Sequence, residues 1–193
     1  MDIQQIINKG FAPKGYPKDA VIYEPGALPR YVYFIKSGEV RMVTVSEDGK
    51  EFIQGIFKTG QYFGEPALIL NRRYLAYTIA NKDSEIIRVD REQFFDLIGN
   101  EPNFSLELIH TLSNRLFYKS MMLEELANEK AEHRLLTIIN YLLADVKSGD
   151  HLKITRQDLA DMTGLRVETV IRGVKLLAEK GEIYTVKGKI VKP

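Results

Sequence analysis

The chain has 193 residues, 27 basic against 26 acidic side chains, 45% hydrophobic residues and neither cysteine nor tryptophan. That length accommodates one large domain or two small ones, and the apolar share is that of a globular chain rather than a disordered one. The absence of cysteine excludes disulfides, thiolate zinc sites, cysteine-ligated iron–sulfur clusters and a cysteine nucleophile.

The N-terminal half reads as short strands. Ile22-Tyr23 and residues 31–35, 40–45, 52–57 and 86–89 are β-branched or aromatic runs. Turn residues separate them at Glu24-Pro25-Gly26, Lys36-Ser37-Gly38-Glu39, Glu47-Asp48-Gly49-Lys50, Lys58-Thr59-Gly60-Gln61 and Asn81-Lys82-Asp83-Ser84. Asp48-Gly49 predicts a tight primed hairpin turn, which needs the positive φ that glycine adopts cheaply. Many short strands at this spacing predict an antiparallel sandwich or barrel.

The period changes after residue 90. Residues 90–98 predict a short helix, and a stretch from 103 to about 127, free of glycine and proline, predicts a long one behind Pro102. Ile109, Leu112, Leu116, Lys119, Leu123 and Leu126 fall at alternating steps of three and four, a heptad seam with Lys119 as its one polar member. A helix of ~25 residues is ~37 Å long, more than a small barrel can cover, so a second copy is the expected partner and the chain a homodimer. Met121-Met122 is expected to pack at that seam. A second helix is expected from Glu129 to about Val146, ended by Lys147-Ser148-Gly149-Asp150.

The last 43 residues carry nine basic side chains against five acidic ones, a net +4 on a body that is otherwise mildly acidic. Such polarisation points to a module that meets a polyanion. Thr155 is placed to cap a helix whose Asp158 completes a capping box; Leu159, Ala160 and Met162 form its apolar face, and Thr163-Gly164 supplies a tight turn. A second helix opens at Arg166-Val167-Glu168-Thr169-Val170-Ile171-Arg172, with Val170, Val174 and Leu177 as its buried stripe and Gly181 as its end. Residues 183–186, Lys187-Gly188-Lys189 and Ile190-Val191 then predict a hairpin with a basic tip. The whole is a winged helix-turn-helix.

A helix fits the major groove of double-stranded DNA. Glu168 and Arg172 are four apart and share a face; Arg172 can donate twice to guanine and Glu168 can accept from cytosine. Thr155, Arg156, Gln157, Thr169, Lys187, Gly188 and Lys189 are suited to phosphate contacts, which give affinity and register.

The run Ile154-Thr155-Arg156-Gln157-Asp158-Leu159-Ala160, with Thr163-Gly164 and Glu168-Thr169-Val170-Ile171-Arg172, resembles the DNA-binding domain of the CRP/FNR family of bacterial transcription regulators. Pro25-Gly26, Tyr33-Phe34-Ile35-Lys36-Ser37-Gly38-Glu39-Val40, Asp48-Gly49-Lys50-Glu51 and Gly60-Gln61-Tyr62-Phe63-Gly64-Glu65 resemble that family's cyclic-nucleotide-binding-type barrel. The resemblance implies an α+β fold: an antiparallel β-barrel of jelly-roll type over residues 1–98, a long central dimerisation helix over 99–128 and a winged helix-turn-helix over 129–193. It implies a homodimer on a palindromic operator, with RNA polymerase as a partner if the protein activates. The Arg166–Arg172 stretch looks closer to the FNR branch: Val167 stands where the cyclic AMP receptor has an arginine, and Arg166 beside it can compensate. A half-site with a G·A core follows.

The same resemblance places an effector pocket at Gly64 and Glu65, with Lys119 and Ser120 on the central helix. In cyclic-AMP-binding members an arginine–serine pair neutralises the phosphate. Here that place reads Tyr74-Leu75 or Leu75-Ala76, depending on register, and Arg72 or Arg73 would need a two-residue shift. Cyclic AMP is therefore not the expected effector, FNR's iron–sulfur cluster lacks its cysteines, no cofactor or metal is expected, and any small-molecule effector is unidentified. An anionic effector beside Lys119 would relieve repulsion between two symmetry-related lysines.

No nucleophile triad, phosphate-cradling loop or paired-histidine motif supports an enzyme. A cyclic-nucleotide-binding regulatory subunit acting on a protein partner would share the barrel but has no use for the helix-turn-helix. No apolar run approaches the ~18 residues of a membrane span, and the opening Met1-Asp2-Ile3-Gln4-Gln5 lacks the layout of a secretory signal. A cytoplasmic chain without a membrane partner is expected.

Overall fold

The computed structural model describes residues 10–127 and 130–193. Eight strands come first: β1 (Pro13–Tyr16), β2 (Val21–Tyr23), β3 (Tyr31–Ser37), β4 (Glu39–Val45), β5 (Glu51–Lys58), β6 (Tyr62–Phe63), β7 (Tyr77–Ala80) and β8 (Ser84–Asp90). They form two four-stranded antiparallel sheets, ordered β1-β8-β3-β6 and β2-β7-β4-β5. The arrangement is of jelly-roll type, with two sheets rather than one closed hydrogen-bonded cylinder.

The alternation of side chains along β3 divides the core. Tyr33 and Ile35 point into a cluster with Tyr23, Val40, Phe63 and Tyr74. Val32 and Phe34 point the other way, onto Ile87, Phe94, Leu97 and Phe104. Burial on both faces explains why this strand reads as an unbroken apolar run.

Helix α1 (Glu65–Leu70) follows β6, and α2 (Arg91–Asn100) follows β8. The start of α2 is fixed by a capping box in which Asp90 and Gln93 satisfy each other's backbone N–H groups. Helix α3 runs from Pro102 to Ala127, proline occupying a first position where no amide is missed. Then come α4 (Ala131–Leu143), α5 (Arg156–Thr163), α6 (Val167–Glu179) and the hairpin of β9 (Tyr184–Val186) and β10 (Lys189–Val191). The chain divides into two compact units, one up to Ser113 and one from Asn114, so the division falls inside α3.

The structure differs from the sequence expectations in several places. β1, β6, β7 and α1 carry no sequence expectation. The Asp48-Gly49 hairpin is not a two-residue primed turn: Ser46 N donates to Lys50 O and Gly49 N to Ser46 O, each at 2.9 Å, which closes a three-residue loop. Glu129, the expected start of the second helix, lies outside the described residues, and α4 ends at Leu143 rather than near Val146.

Candidate nucleic-acid interface and effector region

Helix α5 begins as its sequence dictates. Thr155 Oγ1 accepts from Asp158 N at 2.9 Å, and Asp158 Oδ2 accepts from Thr155 N at 3.1 Å. Thr155 Oγ1 also donates to Asp158 Oδ2 at 2.7 Å, so the hydroxyl expected on phosphate is spent within its own cap. At the far end Gly164 takes φ 69°, the left-handed conformation that lets the chain leave α5 and start α6 within two residues. Buried Thr163 secures this turn by donating to Leu159 O at 2.6 Å.

Helix α6 has a buried side and a displayed side. Val170, Val174 and Leu177 face the core. Glu168, Ile171, Arg172 and Lys175 are exposed and fall within roughly 100° of arc over the first turns. Among the described residues no ion pair joins Glu168 to Arg172, so both termini remain available to a ligand. Val167 and Thr169 are half-buried, and Arg166 is exposed at the N-cap. Sequence reasoning passed over Ile171, a β-branched apolar side chain that is 52% exposed among charged neighbours. Its position three residues after Glu168 was the available signal.

The wing is tied to the first turn of α5. β9 and β10 pair with Val186 opposite Lys189, leaving a two-residue turn of Lys187 and Gly188 at φ 47° and 76°. Both positive values make this a primed turn, whose twist matches that of the strands. Leu152 N donates to Ile190 O at 2.8 Å, holding β10 from its other side. Arg156, expected to contact phosphate, is half-buried and donates from Nη2 to Gly188 O at 2.8 Å. Burial lowers its pKa. Gln157 is exposed and bonded to Asp161 at 2.9 Å, while Lys187 and Lys189 project freely into solvent at the wing tip.

The displayed face of α3 is broader than the seam expected. Ile109, Leu116, Leu123 and Leu126 are exposed, joined by Leu106 and by Phe117 at 75%. Leu112 departs from the expectation: it is half-buried against the Phe94–Phe104 cluster of its own chain, leaving only part of its surface for a partner. At 100° per residue the middle of the face passes through Ile109 and Leu116, with Ser120 and Ser113 to one side of that line. Lys119 falls at its margin, where partial burial and the Arg115 charge lower its pKa. Met122 is also not part of this face, being buried within its own subunit.

In the effector region, Gly64 has φ 90° and sits so close to Tyr33 and to Tyr31 O that an added Cβ would be 3.1 and 3.2 Å away. Glu65 is fully buried at the start of α1. The space between the sheets is filled by the chain's own rings. Tyr23 stacks on Tyr74 and Tyr33 stacks on Phe63 at 5.1 Å. Tyr33 donates to the Tyr74 hydroxyl, which donates to Tyr31 O at 3.3 Å. Neither Arg72 nor Arg73 enters this cluster. Both are exposed, and Arg73 Nη1 is bonded to Gly26 O at 2.6 Å. Tyr74 is buried and Leu75 is 86% exposed, so neither register of the expected pair puts a cation inside.

Comparison with known proteins agrees with this division. Residues 13–101 match the family model of the cyclic nucleotide-binding domain, and residues 133–192 match that of the Crp-like helix-turn-helix domain. The cyclic AMP receptor protein of Thermus thermophilus is 29% identical over 180 residues, covering 93% of this chain and 83% of the relative. The fumarate and nitrate reduction regulatory protein of Yersinia pestis is 26% identical over 196 residues, covering 98% and 78%. Among solved structures, a CooA mutant from Carboxydothermus hydrogenoformans superposes with TM-score 0.83 at 22% identity, covering 100% of this chain and 91% of that one, a likeness of fold. The catabolite activator protein of Thermus thermophilus gives TM-score 0.58 at 27% identity, covering 98% and 89%.

Proposed function

Because this chain belongs to the CRP/FNR family of transcription regulators, we propose that it acts as a homodimer that lays two α6 helices on a palindromic operator. Residues 1–98 form the effector-type domain, 99–128 the dimerisation helix and 129–193 the DNA-binding domain. Glu168 and Arg172 read the G·A core of each half-site, with Ile171, Arg166 and Val167 on the flanking bases. Gln157, Thr169, Lys187, Gly188 and Lys189 hold phosphates. Thr155 and Arg156 shape the surfaces that do so. The protein works by binding rather than by chemistry, in the cytoplasm, and touches RNA polymerase if it activates.

The observation that carries this reading is the displayed face of α6, where an acid and a guanidinium stand without partners in a unit that also carries a basic wing. Cyclic AMP is not the effector this reading expects, because the Tyr74-Leu75-Ala76 stretch supplies no cation for its phosphate and Arg73 is bonded to Gly26 O outside the ring cluster. The reading as a regulatory subunit is not favoured, since it leaves the helix-turn-helix without a task. Selection of bound fragments from a genomic library, followed by titration at rising salt, tests the function. Enrichment of one palindrome, with affinity falling steeply with salt, is expected. Failure to retain any duplex at low salt overturns it.

A further inference from the structure

The end of α3 and the beginning of the helix-turn-helix unit share a polar junction centred on buried Glu125, with His133 at its exposed edge. This residue is only 5% exposed, yet it carries a carboxylate. Oε2 accepts from His133 Nδ1 at 2.7 Å, and Oε1 accepts from Thr137 Oγ1 at 3.0 Å. Both donors belong to α4. The backbone carbonyl of Glu125 accepts from Arg134 Nε at 3.2 Å. The other arm of the same guanidinium donates from Nη1 to Thr163 O, at the turn between α5 and α6, at 3.1 Å. One residue of α3 is thus connected to α4 and, through Arg134, to the turn that aims α6.

Apolar packing covers Glu125 on the side away from His133. Met122 is buried one turn before Glu125, and the Tyr118 ring stacks on Tyr141 with centroids 4.2 Å apart. A carboxylate in such surroundings is tolerated only while its oxygens are occupied by donors. Tilting α4 against α3 would pull His133 and Thr137 off Glu125 and leave that carboxylate buried without donors. The angle between the helices is therefore discrete, set by hydrogen-bond geometry, rather than a slope along which apolar surfaces can slide.

We propose that Glu125 is a positioning residue that fixes the angle between α3 and the helix-turn-helix, and so selects the spacing of half-sites that the dimer accepts. This rests on the reading of the chain as a dimer on two half-sites. Adding one base pair between half-sites rotates one of them by about 35° and moves it about 3.4 Å, a change that a rigid dimer must refuse.

The test titrates full-length protein on duplexes carrying the selected palindrome with its spacer shortened or lengthened by one base pair. Wild type loses affinity about tenfold for either change, comparable with one mismatched base pair. Glu125→Ala discriminates among the three spacers by no more than about threefold, while still distinguishing the G·C pair read by Arg172. Glu125→Gln keeps a carbonyl acceptor and restores most of the spacer preference. Where Glu125→Ala fails to fold by circular dichroism, Thr137→Val removes one donor alone and flattens the same profile in part. A Glu125→Ala or, failing it, Thr137→Val protein with the wild-type spacer profile overturns the assignment. Wild-type protein that binds a half-site but ignores spacing overturns it while leaving the DNA-binding reading intact, whereas protein that binds no duplex overturns both.

Discussion

The rings of Tyr23 and Tyr74 lie face to face between the two sheets, centroids 3.7 Å apart and planes within 8°. Burial pushes the Tyr74 phenol up to about 12 from 10.0 and raises that of Tyr33, which also donates to Tyr74, further still. Between about pH 10 and 12 the folded chain holds protons that the unfolded chain has lost, so this contribution is complete below pH 10 and disappears as pH rises through that window. Urea midpoints should fall over this range, and Tyr74→Phe should remove about 2 kcal/mol of the fall. Phenolate absorbance followed alongside the unfolding curves checks the order of events.

The exposed face of α3 predicts association. A glutamate at its centre would be buried opposite its own copy, so Leu116→Glu should convert dimer to monomer in sedimentation. Phe117→Glu should weaken the dimer less, because Phe117 sits at the side of the face. A Leu116→Glu dimer of wild-type strength would exclude this face.

Arg172→Ala should relax discrimination at one G·C pair of each half-site by about 1–3 kcal/mol. Lys187→Ala at the wing tip should weaken every duplex alike and lower the salt slope by about one charge. The comparison of selected and scrambled duplexes separates the two effects, and reading and anchoring change places if Arg172→Ala lowers affinity uniformly.

Ile171 predicts a contact with no hydrogen bond in it. An exposed branched apolar side chain between Glu168 and Arg172 is suited to the methyl group of thymine. Replacing one thymine per half-site by uracil should weaken wild type by about 0.8 kcal/mol for each methyl lost and leave Ile171→Ala indifferent. Equal sensitivity in both proteins would assign the methyl to another residue.

The helix-turn-helix was legible because its devices are local. Thr155 and Asp158 are three residues apart, and Gly164 interrupts an otherwise helical pattern. Less local features were not. β1 contains Pro13 and Gly15, residues that argue against a strand until its place at the sheet edge is known. Two registers of apolar residues overlap on α3, and only burial shows that Leu112 turns to its own core while Ser113 and Ser120 lie in the exposed face. Arg72 and Arg73 are close in sequence to the expected pocket, but a bond to Gly26 O draws one of them outward. The Glu125 junction joins residues eight and twelve positions apart across two helices, a spacing that no single-helix pattern reveals.

The bond from Arg156 to the Gly188 carbonyl has a consequence for the kind of duplex that can be bound. It ties the wing tip to the first turn of α5, so the two edges of the contact surface reach the helix at a preset span and surrender little freedom on docking. A fixed span acts as a gauge. A-form RNA, with its deep narrow major groove, would close that groove to α6.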